Sequence, residues 1–272
     1  MHRARKRFGQ HFLHDRGVIE KIVAAIAPSP ADRLVEIGPG LGAITLPLLD
    51  RVGRLDAIEI DRDAIRHLQN IAPQHGELRI HEADVLQFDF APLASGQKLR
   101  VVGNLPYNIS TPLLFRLIEQ RDLFLDMHFM LQKEVVARMA ARAGDEDYGR
   151  LSVMLAPWVE VEKLFDIGPG AFKPPPRVES TFVRLKPHAA PPFAIEDERK
   201  FARVVAAAFS QRRKTLRNAL KPLLTEAQIE RAGIDPGARA ETVPPAGFAA
   251  LAGQLDPRVC TTSAATDEKS VG

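Results

Sequence analysis

Cysteine occurs once in this chain of 272 residues, and so does tryptophan. One cysteine excludes an internal disulfide and any cysteine-rich zinc site, and it fits a reducing compartment. No metal is expected. Long apolar runs are also missing: none approaches the ~18 residues that a membrane-spanning helix requires. The basic start Met1-His2-Arg3-Ala4-Arg5-Lys6-Arg7 continues into Phe8-Gly9-Gln10-His11 rather than into an apolar stretch. That argues against a signal peptide and for a cytoplasmic protein with no membrane association. Glycine (18) and proline (21) are too sparse for a low-complexity or collagen-like chain. Internal repeats are absent as well. What is left is the composition of a soluble protein, 45% hydrophobic and 26% charged, long enough for one large domain and a small one.

The net charge of +3 hides an uneven distribution. Residues 1–7 carry +4 and residues 211–221 carry +5 (Arg212, Arg213, Lys214, Arg217 and Lys221), which leaves −6 on the other 254 residues. Clustered cations on an acidic body suit a polyphosphate backbone, because binding releases its counterions. Taken alone, each cluster reads equally well as a solvated face or a loose tail.

Along the chain, short apolar strands alternate with helices of about 10–15 residues, the pattern of an α/β fold with a doubly wound, mainly parallel sheet. Strands are expected at 33–37, 55–60, 78–81, 99–103 and 127–131, with a late pair at 159–165 and 180–185 completing the sheet. Residues 145–150 read as a mobile polar loop. The chain thus divides into a sheet domain over 1–186, a Pro-rich linker over 187–193, a small helical domain over 194–258 and a disordered tail over 259–272. In the helical domain, Lys214, Arg217 and Lys221 are expected on one helix face at i, i+3, i+7, with Pro222 ending the helix.

The first strand ends in Glu36-Ile37-Gly38-Pro39-Gly40-Leu41-Gly42, a turn in which Gly38 and Gly40 let the backbone approach a ligand closely. Glu59 follows at the end of the second strand, where a carboxylate can accept from ribose hydroxyls. Asp84, after the third strand, can accept from an adenine amino group. No Gly-x-x-x-x-Gly-Lys-Ser/Thr phosphate loop is present. A ligand with ribose and adenine but no phosphates fits, and S-adenosyl-L-methionine is one. The turn alone is also that of a structural strand–helix junction; the two acids at successive strand ends tip the reading to a nucleoside.

After the fourth strand comes Asn104-Leu105-Pro106-Tyr107. The amino nitrogen of a nucleobase is a poor nucleophile because its lone pair is delocalised into the ring. The Asn104 carboxamide oxygen and the Leu105 carbonyl can each accept one amino hydrogen, which localises that lone pair for attack on a sulfonium methyl. Tyr107 offers a flat face to an extruded base, worth roughly 1–3 kcal/mol. In Phe172-Lys173-Pro174-Pro175-Pro176-Arg177, Phe172 can take the other face of the base while Lys173 and Arg177 meet phosphates. By spacing alone that segment reads better as a surface Pro-rich connection.

These blocks, together with Arg5 through Leu13, Asn108 through Pro112 and Ser210 through Asn218, resemble the bacterial small-subunit (16S) ribosomal RNA adenine dimethyltransferases over roughly residues 5–250. The resemblance implies a class I S-adenosyl-L-methionine-dependent fold with a helical, RNA-binding C-terminal domain. It implies dimethylation of two adjacent adenosines in the 3′-terminal hairpin of small-subunit ribosomal RNA, acting as a monomer, within an immature 30S particle, with a role in small-subunit biogenesis. It implies cofactor contacts at His11, Leu13, Gly38, Glu59, Asp84 and Asn104, and base stacking by Tyr107 and Phe172. His11 is a departure, since the family often has Asn there; imidazole can still donate to the cofactor carboxylate. Rival readings are a large-subunit ribosomal RNA adenine methyltransferase, a non-catalytic RNA-binding assembly or transcription factor on the same fold, and a DNA amino-methyltransferase. The Pro174-Pro175-Pro176 block and the Gln211–Lys214 segment favour the small-subunit family.

Overall fold

The computed structural model describes residues 11–106, 109–211 and 213–256. Two compact units form along the chain: one from 1–136 and 159–187, the other from 137–158 and 188–272.

In the first unit the strands are β1 (Phe12–Leu13), β2 (Arg33–Ile37), β3 (Arg54–Glu59), β4 (Glu77–Glu82), β5 (Leu99–Asn104), β6 (Phe124–Gln132), β7 (Val159–Ile167), β8 (Phe172–Lys173) and β9 (Ser180–Pro187). The helices that accompany them are α1 (Arg16–Ile26), α2 (Thr45–Val52), α3 (Arg62–Ile71), α4 (Ala91–Ala94) and α5 (Ser110–Glu119), and α6 (Lys133–Ala140) crosses the boundary between the units. Seven strands make one sheet in the order β4-β3-β2-β5-β6-β9-β7. The first five are parallel; the late pair β9 and β7 completes the sheet, as expected, and joins it antiparallel. The central strand β5 is buried along Leu99–Gly103, while edge strand β4 alternates between partly covered and exposed residues. That contrast is what burial on two faces against burial on one predicts.

Arg100, on β5, is a polar tie inside this packing. Its guanidinium donates to both Asp126 oxygens at 2.9 and 3.0 Å, to Asp32 at 2.7 Å and to the Ile26 carbonyl at the end of α1 at 2.7 Å. A buried cation is tolerated only when its donors are met in this way.

A second, two-stranded sheet pairs β1 antiparallel with β8, with Phe12 opposite Lys173 and Leu13 opposite Phe172. No periodicity in the sequence announces it. Two residues per strand are too short to show one.

The second unit holds α7 (Arg150–Leu155), α8 (Glu198–Ala208), α9 (Leu216–Ala219), α10 (Glu226–Arg231) and α11 (Pro245–Gly253). Asp197 caps α8, accepting from the Arg199 and Lys200 amides. Phe201, Val204 and Val205 of α8 share one core with Leu216, Leu220, Phe248 and Leu251.

Three expectations are corrected here. First, residues 137–158 group with the helical unit and not with the sheet unit, because Tyr148 and Val153 are buried in the α8–α11 core. Second, residues 145–150 are a fixed turn: the Tyr148 hydroxyl donates to the Val243 carbonyl at 2.8 Å, and the Gly144 amide donates to the Glu241 carbonyl at 2.9 Å. Third, no long helix carries the basic stretch. Helix α8 stops at Ala208 and α9 is a single turn, because the Leu216 and Arg217 amides donate to the Ala238 and Pro236 carbonyls instead of to an earlier turn. Lys214, Arg217 and Lys221 are exposed but do not lie along one helix, and Arg217 lies 3.4 Å from the Glu226 carboxylate. Arg212, the basic residues 1–7 and the expected tail over 259–272 lie outside the described residues.

Candidate active site

The carboxyl ends of β2, β3 and β5 converge on the glycine turn. Gly38 and Gly40 adopt left-handed backbone (φ 66° and 56°), which costs an L-residue with a Cβ roughly 1–2 kcal/mol. Around Gly38 a Cβ would meet nothing within 4 Å, so the turn borders open space. At Gly40 it would come 3.4 Å from the Phe12 ring, so β1 reaches across this turn.

Glu59 braces the loop. Its Oε1 accepts the Ile60 and Asp61 amides at 2.8 and 2.9 Å, and its Oε2 accepts the Gly40 amide at 3.2 Å. Three of roughly four lone-pair positions are thereby filled by backbone, and the remaining capacity for a hydroxyl is on Oε2. Ile60, the next residue, is 52% exposed, an apolar surface beside the carboxylate. Asp84 lies two residues beyond β4, and its Oδ1 accepts the Leu86 amide at 2.9 Å.

Glu36 belongs to this group and was not among the site residues expected from sequence. It sits one residue before the end of β2 and is buried, and its Oε2 has no hydrogen-bond partner among the described residues. Burial pushes its carboxyl up to about 8; the Thr45 hydroxyl pulls it down and the neighbouring Glu59 charge pushes it up. The signal that would have found it is an acid inside a strand of otherwise apolar residues, Leu34-Val35-Glu36-Ile37.

Asn104 ends β5 beside the turn. Its neighbour Gly103 permits this: a Cβ there would lie 2.8 Å from the Ile37 carbonyl oxygen, closer than any side chain allows. The Asn104 Nδ2 donates to the His11 carbonyl at 3.1 Å. The His11 ring, through Nδ1, is bonded to the Pro174 carbonyl at 2.8 Å. Leu105 is buried, and its amide donates to the Met130 carbonyl at 3.3 Å. Leu13, expected at the cofactor, is buried in the apolar cluster of Ile44, Val102, Met130 and Phe172.

Residues 11–13, 36–40, 59, 104–105 and 172–174 thus belong to one unit and are tied together at the carboxyl ends of β2, β3 and β5, while Asp84 lies in the same unit just beyond β4. Phe172 departs from expectation. Its ring is only 3% exposed, so it presents no open face for stacking; as a large apolar side chain opposite Leu13, it gains more from the core. Lys173 and Arg177 are exposed. Tyr107 lies outside the described residues.

Behind the Phe172–Arg177 segment stands a brace that sequence reasoning also missed. Lys133, which opens α6 directly after β6, bonds Asp166 of β7 at 2.8 Å and Glu179 at 2.7 Å, and the Thr181 hydroxyl donates to Asp166 at 2.6 Å. The Lys133 ammonium and the Thr181 hydroxyl hold the Asp166 carboxyl below its ordinary range.

Comparison with known proteins agrees with this geometry. The family described as ribosomal RNA adenine dimethylase matches residues 1–256. The chain is 58% identical over 256 residues to a ribosomal RNA small subunit methyltransferase A from Methylococcus capsulatus, covering 94% of this chain and 99% of that protein. It is 56% identical over 255 residues to the protein of the same description from Pseudomonas aeruginosa, covering 93% and 95%. Among solved structures, a dimethyladenosine transferase from Plasmodium falciparum superposes with TM-score 0.71 at 26% identity, covering 89% and 96%. The 23S rRNA methyltransferase ErmE superposes with TM-score 0.70 at 26% identity, covering 90% and 99%.

Proposed function

The chain belongs to the ribosomal RNA adenine dimethylase family, and from that premise we infer an S-adenosyl-L-methionine-dependent methyltransferase that dimethylates adenine amino groups of small-subunit ribosomal RNA. The finer reading is that its targets are two adjacent adenosines in the 3′-terminal hairpin, met in an immature 30S particle in the cytoplasm. In this reading it acts as a monomer.

The residues suit the cofactor. A turn bordering open space, a carboxylate with spare capacity, an exposed apolar side chain and an orphaned buried acid provide for a ribose, an adenine and a cation without a phosphate grip. We assign Gly38, Gly40, Glu59, Asp84 and Leu13, with His11 and Asn104, to holding it, Ile60 to the adenine face and Glu36 to the polar end. When bound, S-adenosyl-L-methionine supplies an electrophilic methyl on a sulfonium.

The protein's part is to prepare the amine. With Nδ2 committed to His11, the Asn104 amide offers Oδ1 to one amino hydrogen, and this orientation is the observation that carries the reading. The Leu105 carbonyl takes the other hydrogen, and the nitrogen lone pair localises. No strong base is needed, because the nitrogen becomes acidic once alkylated. Tyr107 provides the stacking face; Phe172 joins it only if the 172–177 segment moves, because its ring is covered. Lys173, Arg177, Arg212, Arg213, Lys214, Arg217 and Lys221 are assigned to RNA phosphates.

Incubation of the protein with labelled cofactor and unmethylated small subunits, followed by mass spectrometry of nucleosides, should yield dimethyladenosine. In a parallel incubation with unmethylated large subunits, label in large-subunit RNA instead would favour the reading suggested by the ErmE fold. Reversing Arg213, Lys214 and Arg217 to Glu should weaken RNA binding and lower the salt slope by roughly 3; an unchanged slope removes these residues from the RNA surface.

A further inference from the structure

Asn104 does its work only if its carboxamide faces one way. A primary amide turned end for end looks almost the same in shape, but its two ends do opposite things: Nδ2 donates and Oδ1 accepts. A target amine needs the acceptor. In this structure the choice is enforced by the His11 backbone carbonyl, which can only accept and therefore binds the Nδ2 end at 3.1 Å. Turning the amide over would set two oxygens against each other.

That carbonyl must itself stay in place. The register of Phe12 opposite Lys173 and Leu13 opposite Phe172 sets His11 opposite Pro174. The His14 amide donates to the Ala171 carbonyl, and bonded and non-bonded pairs alternate along an antiparallel ladder, so His11 and Pro174 face each other as a non-hydrogen-bonded pair. The His11 ring supplies a bond that the main chain does not make at that pair, joining the Pro174 carbonyl through Nδ1 at 2.8 Å. Since that oxygen is an acceptor, Nδ1 carries the proton.

We infer that the His11 side chain is a positioning residue for Asn104: its Nδ1–H extends the β1–β8 pairing by one rung onto Pro174, and so fixes the carbonyl that keeps the Asn104 oxygen turned to the substrate amine. This rests on the assignment of Asn104 to the amine and adds to it a role for the His11 ring distinct from a cofactor contact. Three segments separated by 93 and 163 positions in sequence are joined by two hydrogen bonds, so loosening one rung releases the orientation of the reactive amide.

The chemistry of the ring nitrogen specifies the test. Nδ1 is one bond from Cγ, and so is the amide nitrogen of asparagine. Asparagine can therefore place a donor where the histidine has one. Aspartate has the same shape but carries only acceptors and would oppose the Pro174 carbonyl. The His11→Asn, His11→Asp and His11→Ala variants are assayed with unmethylated small subunits at saturating cofactor, with thermal melts to show that each folds. S-adenosyl-L-homocysteine affinity is measured by calorimetry. The His11→Asp and His11→Ala variants should lose kcat by on the order of 10–100-fold, the scale of misplacing a catalytic group. The His11→Asn variant should recover most of that rate. Affinity for S-adenosyl-L-homocysteine reads the separate cofactor contact assigned to His11, and it should not follow the order Asn above Asp and Ala that kcat at saturating cofactor follows. Equal rates for the Asn and Asp variants, or a loss confined to S-adenosyl-L-homocysteine affinity, overturn the inference.

A readout independent of turnover is the ¹⁵N spectrum of the His11 ring in the whole protein, followed as pH is raised until the spectrum no longer changes. The Nδ1–H tautomer is expected, and the Nε2–H tautomer overturns the inference. If the wild-type protein makes no dimethyladenosine, it is the assignment of function that falls, and the tautomer still decides the hydrogen bond.

Discussion

Around the glycine turn the supports are local: the Glu59 carboxylate gathers amides from its own two successors and from Gly40 in the turn that follows the adjacent strand β2. Around Asn104 they are remote, since a carbonyl at residue 11 and a carbonyl at residue 174 orient a side chain at 104. The first half of the site is therefore part of the parallel sheet and is as stable as that sheet. The second half is assembled from loop ends by single hydrogen bonds, each worth roughly 0.5–1.5 kcal/mol, and can open without unfolding the sheet. A site that must hold a small cofactor and also admit an extruded base suits this division.

The sharpest way to break the comparison is Asn104→Ala. If the two halves are separable, methyl transfer should fall by on the order of 10²–10³, the scale of removing one preorganised polar group, while RNA affinity is retained. Single-turnover assays and filter binding on the same preparation check both, and a variant that still turns over normally removes Asn104 from the chemistry.

Stability against pH separates the halves next. Burial raises the Glu36 carboxyl from 4.5 to about 8, so the folded state holds a proton that the unfolded state has released. Its contribution is fully present below pH 4.5 and is lost as pH rises through 8. His128, on β6 beside β5, shows the opposite sign. Burial, against the opposing charge of Asp126, lowers it from 6.5 to about 4. Both of its ring nitrogens are buried with no hydrogen-bond partner among the described residues, and the ring stacks on Phe182 at 5.9 Å. Its contribution is present above pH 6.5 and is lost as pH falls through 4. Denaturant titrations should show Glu36→Gln flattening the loss between pH 4.5 and 8, by about 5 kcal/mol at most, and His128→Leu flattening the loss between pH 6.5 and 4, by about 3 kcal/mol at most. If either variant keeps the wild-type pH profile, that residue is not the source of the slope.

Glu59→Gln tests the local brace. One oxygen remains to accept, and a donor now faces the backbone amides, so S-adenosyl-L-homocysteine affinity should weaken by about 1.5–3 kcal/mol with smaller effects on the rate at saturation. Calorimetry reads this directly; an unaltered affinity would shift the ribose contact away from Glu59. Smallest is Gly40→Ala, which should lower stability by roughly 1–2 kcal/mol through its left-handed backbone and its crowding of Phe12, visible as a lowered Tm. No change in Tm would mean that the turn relaxes.

Much of the sheet was legible because its signals are local. Apolar runs of strand length, Gly38 and Gly40 where the backbone turns left-handed, and acids at strand ends each mark themselves within a few residues. Helical periodicity misled at 201–221, where Leu216 and Leu220 keep a helix-like spacing although the Leu216 and Arg217 amides are taken by Ala238 and Pro236. Glu36 was overlooked because a buried acid looks like any strand residue until its unpartnered oxygen is seen.

By itself, then, the sequence determined the order of strands and helices, the glycine turn with its flanking acids, and the Asn-Leu-Pro-Tyr block behind β5, since each is written in the chemistry of adjacent residues. Only the tertiary structure decided that residues 137–158 belong with the helices, that β1 pairs with β8, and that His11 turns the Asn104 amide. Those outcomes depend on which distant groups are left with an unmet donor or acceptor once the sheet has formed, and no local pattern encodes that.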